Sequence, residues 1–206
     1  VSFGAIPAVC IDAAAFNLTQ GTPVGGTYSG TGITASPQFN PSIAGAGTHT
    51  IIYTYTDGNS CTNTATSDIL VNALPVISFG TVPAVCIDAV VFNLIQGSPV
   101  GGTYSGTGIT SSPQFNPATA GVGTHTITYT FTDGNGCTNS TTQTVTVNAL
   151  PVVNFGAVPA VCVDAAAFNL TQGSPVGGTY SGTGITASPQ FNSSTAGPGI
   201  HTINYT

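Results

Sequence analysis

The chain has 206 residues with six Asp, three His and no Lys or Arg, so its net charge at pH 7 is -6. Nucleic-acid binding and attachment to anionic lipid depend on Lys and Arg, which excludes both partners for these residues. No apolar run approaches the ~18 residues of a membrane helix, so no membrane insertion is expected in this segment.

A repeat of 76 residues organises the chain. Cys10, Cys86 and Cys162 recur at this spacing, and so do Cys61 and Cys137. We therefore predict three tandem domains, 1–74, 75–150 and 151–206, the third without its last quarter. Because the sequence starts at Val1 without Met or a signal peptide, we interpret it as part of a longer mature chain.

The predicted elements of each repeat are β-strands. In the second repeat, short candidates at 76–79, 89–95, 102–105 and 114–116 precede two longer ones. From His125 to Thr132 apolar and Thr residues alternate, as expected for a half-buried antiparallel strand. Asp133-Gly134-Asn135 is a turn signal, and alternation resumes from Cys137 to Val147, which predicts a hairpin. About seven short strands with frequent turns indicate an all-β, immunoglobulin-like β-sandwich.

The link between repeats is only Asn72-Ala73-Leu74-Pro75, repeated as Asn148-Ala149-Leu150-Pro151. It contains no Gly/Ser spacer, and proline restricts its backbone. We expect adjacent domains to be held in a nearly fixed relation, forming an extended rod with about 30 Å per repeat.

A glycine-rich block, VGGTYSGTGIT, occurs at 24–34, 100–110 and 176–186. It lacks the G-x-G-x-x-G order, the following helix and the Lys of a phosphate-binding loop. We interpret it as a sheet corner in which glycines allow a tight bend. Its tyrosine anchors the bend and is the candidate for a surface contact, which gives the set Tyr28, Tyr104 and Tyr180.

The cysteines indicate an oxidising, extracellular compartment, because they lack zinc spacing and recur twice per small repeat. We predict disulfides within repeats, Cys10–Cys61 and Cys86–Cys137, with the partner of Cys162 at position 213, outside the sequence. Such a bond would stabilise a repeat by roughly 4 kcal/mol in the chain-entropy model. Reduced thiols and pairing between repeats are the alternatives.

Catalysis is not expected, because each repeat has few acids, one His and no basic residue. We interpret Asp57 as a turn residue and His49 as a residue at the core edge that is hydrogen-bonded to a nearby loop. No cofactor is expected. Calcium is the weaker alternative: Asp12 and Asp57 recur, but the six to eight oxygens that calcium requires are not evident, and Asp68 is replaced by Thr144.

Threonines on the outward face of the predicted hairpin suggest an alternative role. Regular Thr arrays can bind ice, and sugars can dock on similar surfaces. Thr also has high strand propensity and keeps an uncharged sheet soluble. Ile52, Asp68 and Leu70 interrupt the array in the first repeat.

The succession GGTYSGTGIT, PQFNPATAG, GTHTITYTFTDGNGCTN and TQTVTVN resembles the PKD-like and immunoglobulin-like repeats of giant surface adhesins from gliding, type IX-secreting bacteria. The resemblance covers every repeat and implies an extracellular, cell-surface stalk that spaces an adhesive region from the cell. The cysteines are found in only a subset of such repeats, and no C-terminal sorting domain is visible. Alternatives are glycan or ice binding by the repeats and lateral association of copies into a fibre.

Overall fold

The first repeat forms nine strands and one short helix in the computed structural model, which describes all 206 residues. These elements are β1 (Ser2–Phe3), β2 (Val9–Cys10), β3 (Phe16–Asn17), β4 (Gly21–Thr22), β5 (Thr27–Ser29), β6 (Ile33–Ala35), β7 (Gln38–Phe39), α1 (Pro41–Ala44), β8 (Gly47–Thr56) and β9 (Thr62–Asn72).

The second repeat contains the same series of elements, and the third contains part of it. The second has β10 (Ser78–Phe79), β11 (Val85–Cys86), β12 (Phe92–Asn93), β13 (Gly97–Ser98), β14 (Thr103–Gly106), β15 (Ile109–Ser111), β16 (Gln114–Phe115), α2 (Pro117–Ala120), β17 (Gly123–Thr132) and β18 (Thr138–Asn148). The third has β19 (Asn154–Phe155), β20 (Phe168–Asn169), β21 (Gly173–Ser174), β22 (Tyr180–Gly182), β23 (Ile185–Ala187), β24 (Gln190–Phe191), α3 (Ser193–Ala196) and β25 (Ile203–Tyr205).

Each complete repeat is built from a four-stranded sheet and a three-stranded sheet around one core. In the first repeat the strand orders are β2-β9-β8-β5 and β3-β7-β6, with a further pair, β1-β4. Tyr53 and Ile69 of the larger sheet and Phe39 of the smaller one are fully buried in the same cluster. The second repeat repeats these orders and has its own core.

The predicted long hairpin is confirmed. β17 and β18 pair antiparallel from Gly123–Val147 to Thr132–Thr138 without a register shift. Ile127 and Tyr129 are buried in the core, whereas Thr126 and Thr128 alternate with them on the opposite face, because alternate strand residues occupy opposite faces.

The four-residue helices are too short to produce the helical periodicity that sequence reasoning looks for. At α1, the side chain of Asn40 caps the helix by accepting from the Ser42 N–H at 3.1 Å, and Pro41 begins it. His49 Nε2 hydrogen-bonds the carbonyl of Gly45 just after the helix, at 2.8 Å, which confirms its predicted position at the core edge. None of the helices is long enough to cross a membrane.

The tyrosines of the glycine-rich block are buried, so the proposed surface contact through Tyr28, Tyr104 and Tyr180 is wrong. Their exposed fractions are 7%, 7% and 8%. The reason is strand alternation: Tyr28 faces inward, where its ring lies 4.8 Å from that of Tyr53 and its hydroxyl accepts from the Gly21 N–H at 2.9 Å. Its role as an anchor of the bend is thereby supported.

The chain divides into two compact units, 1–148 and 149–206. The first unit contains the first two repeats, and each of the three repeats has a separate core. The domain boundaries at 74 and 150 stay predictions.

Candidate functional site at the junction of repeats

A disulfide joins the first repeat to the second. It links Cys10 to Cys137, whose Cα atoms are 5.6 Å apart although 127 residues separate them in sequence. The predicted pairs Cys10–Cys61 and Cys86–Cys137 are therefore wrong, and Cys61, Cys86 and Cys162 are free and exposed.

Strand geometry explains the correction. Cys61 immediately precedes the 11-residue strand β9, while Cys10 lies beside Asn72 at its other end. At ~3.3 Å per residue, the strand separates the two cysteines by roughly 35 Å, far beyond the ~7 Å Cα separation that a disulfide tolerates.

Cys10 is held by the end of β9. β2 pairs parallel to β9, with Cys10 opposite Asn72, and the Ile11 N–H donates to the carbonyl of Asn72 at 2.9 Å. A turn follows, in which the Ala13 N–H donates to the Cys10 carbonyl at 3.0 Å. The cysteine therefore projects from a fixed turn at the end of the first repeat.

Cys137 is held by the hairpin turn of the second repeat. One carboxylate oxygen of Asp133 accepts from the N–H groups of Asn135 and Cys137, both at 2.9 Å. Asp57 makes the same two bonds to Asn59 and Cys61 in the first repeat, which confirms its interpretation as a turn residue. Nowhere in the chain do three or more His, Cys or Asp side chains gather as a metal-binding group.

A hydrogen bond supports the disulfide at the same junction. The side-chain amide of Asn139, at the start of β18, donates to the carbonyl of Pro75 in the linker at 3.0 Å. Cys137 is 1% exposed and Asn139 is half-buried, whereas Asn135, Gly136 and Thr138 around them are exposed, so burial at the junction is confined to the bonded cysteine and the linker contact. A covalent bond and a linker contact thus connect the two repeats in addition to the chain itself.

The outward face of the hairpin in the second repeat carries facing threonines. Thr126 lies opposite Thr144, and Thr128 lies opposite Thr142. At the turn, the hydroxyls of Thr132 and Thr138 are 2.8 Å apart. In the first repeat, Thr50 instead donates to a carboxylate oxygen of Asp68 at 2.7 Å, and Ile52 and Leu70 are exposed.

The third repeat has an open groove of about 820 Å³ beside Cys162. Phe191 and Ile203 contribute to its walls. In the first repeat, the corresponding side of the core is closed by Ile69 and Val71 of β9. The third repeat has no counterpart of β9 within the chain.

The sheets and cores define tandem immunoglobulin-like β-sandwich domains, as the sequence predicted. No protein-family model and no curated protein matches the chain. Among solved structures, it is similar to a Ca²⁺-stabilised adhesin that helps an Antarctic bacterium reach out and bind ice, with 14% identity, a TM-score of 0.35, and coverage of 81% of this chain and 54% of that one.

Two further similarities involve immunoglobulin and cadherin domains. One is to immunoglobulin domains 1–5 of Sidekick-1, with 15% identity, a TM-score of 0.29, and coverage of 87% of this chain and 47% of that one. The other is to cadherin domains 3–6 of protocadherin gammaB7, with 15% identity, a TM-score of 0.26, and coverage of 93% and 62%. The chain thus spans about half the length of the first two solved chains.

Proposed function

We propose that the chain is a non-enzymatic stalk segment of a secreted bacterial surface adhesin, spacing an adhesive region from the cell. The observation that carries this proposal is the junction, where the Cys10–Cys137 bond and the contact of Asn139 with Pro75 restrict motion between two repeats. A spacer needs such restriction, because freely jointed domains would collapse onto one another.

The disulfide supports the extracellular placement. Structural disulfides persist in oxidising compartments and are rare in the cytosol. The stalk role, the type IX secretion route and the link to gliding motility derive from the resemblance of the repeats to giant surface adhesins. Neighbouring repeats of the chain are the partners that this role requires.

A distance measurement tests the stalk. Cys61 and Cys86 are exposed thiols on different repeats, so spin labels can be attached to both in a Cys162→Ser chain. If the repeats lie end to end, the labels are separated by two strands of 11 residues, or roughly 70 Å at ~3.3 Å per residue. We expect a narrow distribution near that value.

The matched control removes the junction bond by adding Cys10→Ser and Cys137→Ser. This variant should give a broader distribution of distances between the same labels. An equally broad distribution in the chain that retains the bond, or a short distance in both, would contradict a rigid spacer.

Ligand binding by the repeats is a second candidate function, favoured by the facing threonines of β17 and β18. The ligand class would be ice or a glycan. Ice-recrystallisation and glycan-array assays of the full chain test it, with Thr126→Lys and Thr144→Lys as the disruptive pair. Binding that survives these substitutions would exclude the threonine face as the binding site.

Lateral association into a fibre is a separate alternative. It would appear as a molecular mass that rises with protein concentration.

A further inference from the structure

We propose that Cys61 and Cys86 are each one half-site of a disulfide of the same kind as Cys10–Cys137. Each forms this bond with the complementary cysteine of an adjacent repeat. The array would then carry a ladder of disulfides, each joining one repeat to the next. This connectivity is independent of what the array carries, so it can fail or hold separately from the stalk function.

The repeat relates the free cysteines to the bonded ones. Cys61 occupies the position in the first repeat that Cys137 occupies in the second, and Cys86 likewise corresponds to Cys10. Cys61 is therefore of the Cys137 type and belongs to a hairpin turn, whereas Cys86 is of the Cys10 type and belongs to the turn after a short strand. A complete bond requires one cysteine of each type.

Both half-sites have the backbone geometry of the bonded pair. The Asp57 carboxylate holds the Cys61 N–H at 2.9 Å, as Asp133 holds that of Cys137. Cys86, which is of the Cys10 type, lies opposite Asn148. The Ile87 N–H donates to the Asn148 carbonyl at 2.9 Å, as the Ile11 N–H does to that of Asn72. Each turn is thus held by the same backbone contacts as its bonded equivalent.

The free Cys61 turn differs from the bonded Cys137 turn in burial. Cys137 and Asn139 are covered at the junction, whereas the corresponding Cys61 and Asn63 are exposed. Asn63 keeps its local bond to the Thr64 N–H at 2.8 Å but has no counterpart of the bond from Asn139 to Pro75. A groove of about 440 Å³ beside Cys61 is lined by Val1, Pro23, Tyr55, Asp57, Thr62 and Asn63.

Geometry excludes partners within the same repeat. The full length of β9 separates Cys61 from Cys10, and that of β18 separates Cys137 from Cys86. Cys61 and Cys86 each lie at the end of their repeat that is remote from the Cys10–Cys137 bond. The occupant that fits the groove beside Cys61 is therefore the Cys10-type turn of an adjacent repeat, by continuity with the junction already formed.

Bond formation follows ordinary thiol–disulfide exchange. Two thiols lose two protons and two electrons, and a small-molecule disulfide such as oxidised glutathione accepts them and is cleaved to two thiols. No other reactant is required.

A chain extended by one hairpin tests the ladder. A copy of residues 131–148 placed after Thr206 completes the third repeat and puts a cysteine at position 213, which is 127 residues beyond Cys86, the separation found for Cys10 and Cys137. After oxidation with glutathione disulfide, peptide mapping without reduction should recover Cys86 linked to position 213. Two free thiols should remain, against three in the original chain.

Two results would overturn the proposal: a bond between Cys162 and position 213, or the recovery of both Cys86 and position 213 as free thiols. An extended chain with Ser at position 213 is the matched control and should retain three thiols. An increase in the β-sheet circular dichroism signal over that of the original chain reports whether the added hairpin has folded.

A second measurement does not depend on that hairpin. Oxidation of the original chain at high concentration should give oligomers in which Cys61 is joined to a Cys10-type cysteine, Cys86 or Cys162. Predominant Cys61–Cys61 or Cys86–Cys86 bonds would show that the two types are not complementary and would refute the ladder.

Discussion

Single tyrosine hydroxyls hold the glycine-rich block against the long hairpin. The Tyr53 hydroxyl accepts from the Gly26 N–H at 2.7 Å and donates to the carbonyl of Pro23. A side chain at Gly26 would meet that hydroxyl at 2.5 Å, so glycine is required there for close approach rather than for flexibility. Tyr129 repeats this arrangement with Gly102 and Pro99.

Replacing Tyr53 by Phe tests this role. We expect Tyr53→Phe to lower the free energy of unfolding by about 1–3 kcal/mol, because the Gly26 N–H and the Pro23 carbonyl lose their partner in a partly buried place. Tyr55→Phe is the control: Tyr55 is half-buried, and the second repeat already has Phe131 at that position. Urea denaturation should show a change within ~0.5 kcal/mol for this control, and equal losses in both variants would contradict the assignment.

We expect Tyr104 to make the free energy of unfolding depend on pH in the alkaline range. Burial raises the pKa of its phenol above the ordinary 10.0, the hydrogen bond from Gly97 opposes the shift, and the neighbouring Tyr129 adds to it. The unfolded chain therefore loses this proton at lower pH than the folded chain does. The contribution is complete below pH ~10 and declines as the pH rises above it.

Urea denaturation at a series of pH values from 8 upward measures this dependence. We expect the free energy of unfolding to fall above pH ~10 and Tyr104→Phe to fall less steeply. A slope that is identical in the two proteins would show that Tyr104 does not contribute.

At the scale of elements, the hairpin turn determines where its cysteine lies. Asp133 and Asp57 each fix a turn through two N–H bonds, but only the turn of the second repeat contributes to a junction. The same substitution in the two repeats therefore separates turn stability from cross-link formation.

We expect Asp133→Ala and Asp57→Ala each to cost about 1 kcal/mol through the lost turn bonds. Only Asp133→Ala should also reduce the fraction of chains that form the Cys10–Cys137 bond during oxidative refolding, as measured by thiol counting. A reduction of similar size in both variants would mean that the turn acts on folding in general rather than on the position of Cys137.

The long hairpin was predictable because its alternation extends over ten residues, from Gly123 to Thr132, and one face carries the apolar residues Ile127, Tyr129 and Phe131. Elements such as β2 and α1 have two and four residues, which is too short for any period to emerge. Alternation also implied that Tyr28 would face inward like Tyr53, but its glycine-rich surroundings suggested an exposed bend.

The disulfide could not be derived from spacing. The recurrence of Cys10 and Cys61 within each repeat suggested a bond inside it, although the predicted hairpin already placed Cys61 at the start of a long strand. The parallel pairing of β2 with the far end of β9 was not visible in the sequence, because it joins residues that are about 60 positions apart. Pairing between repeats was an alternative that local patterns could not favour.

For the whole molecule, the junction bond should contribute a large part of stability. In the chain-entropy model, closing a loop of 127 residues stabilises the folded state by about 5 kcal/mol. We expect Cys10→Ser with Cys137→Ser, or reduction, to lower the melting temperature of the unit 1–148 markedly. Calorimetry of the full chain measures the effect.

The matched control is Cys61→Ser with Cys86→Ser, which removes two exposed thiols and no bond within the chain. Its free energy of unfolding should change by no more than ~0.5 kcal/mol. Greater destabilisation by this pair than by the Cys10 and Cys137 pair would refute the assigned connectivity.

The bond between Cys10 and Cys137 also determines how the molecule responds to tension. A force applied at the two ends passes along the covalent chain from Cys10 directly to Cys137, so the backbone between them lies outside the covalent load path. At ~3.6 Å per residue, those residues would release roughly 450 Å of contour length only after the bond is broken. Pulled under oxidising conditions, the first two repeats should therefore behave as a nearly inextensible link, and a reductant would convert the same segment into a long extensible tether.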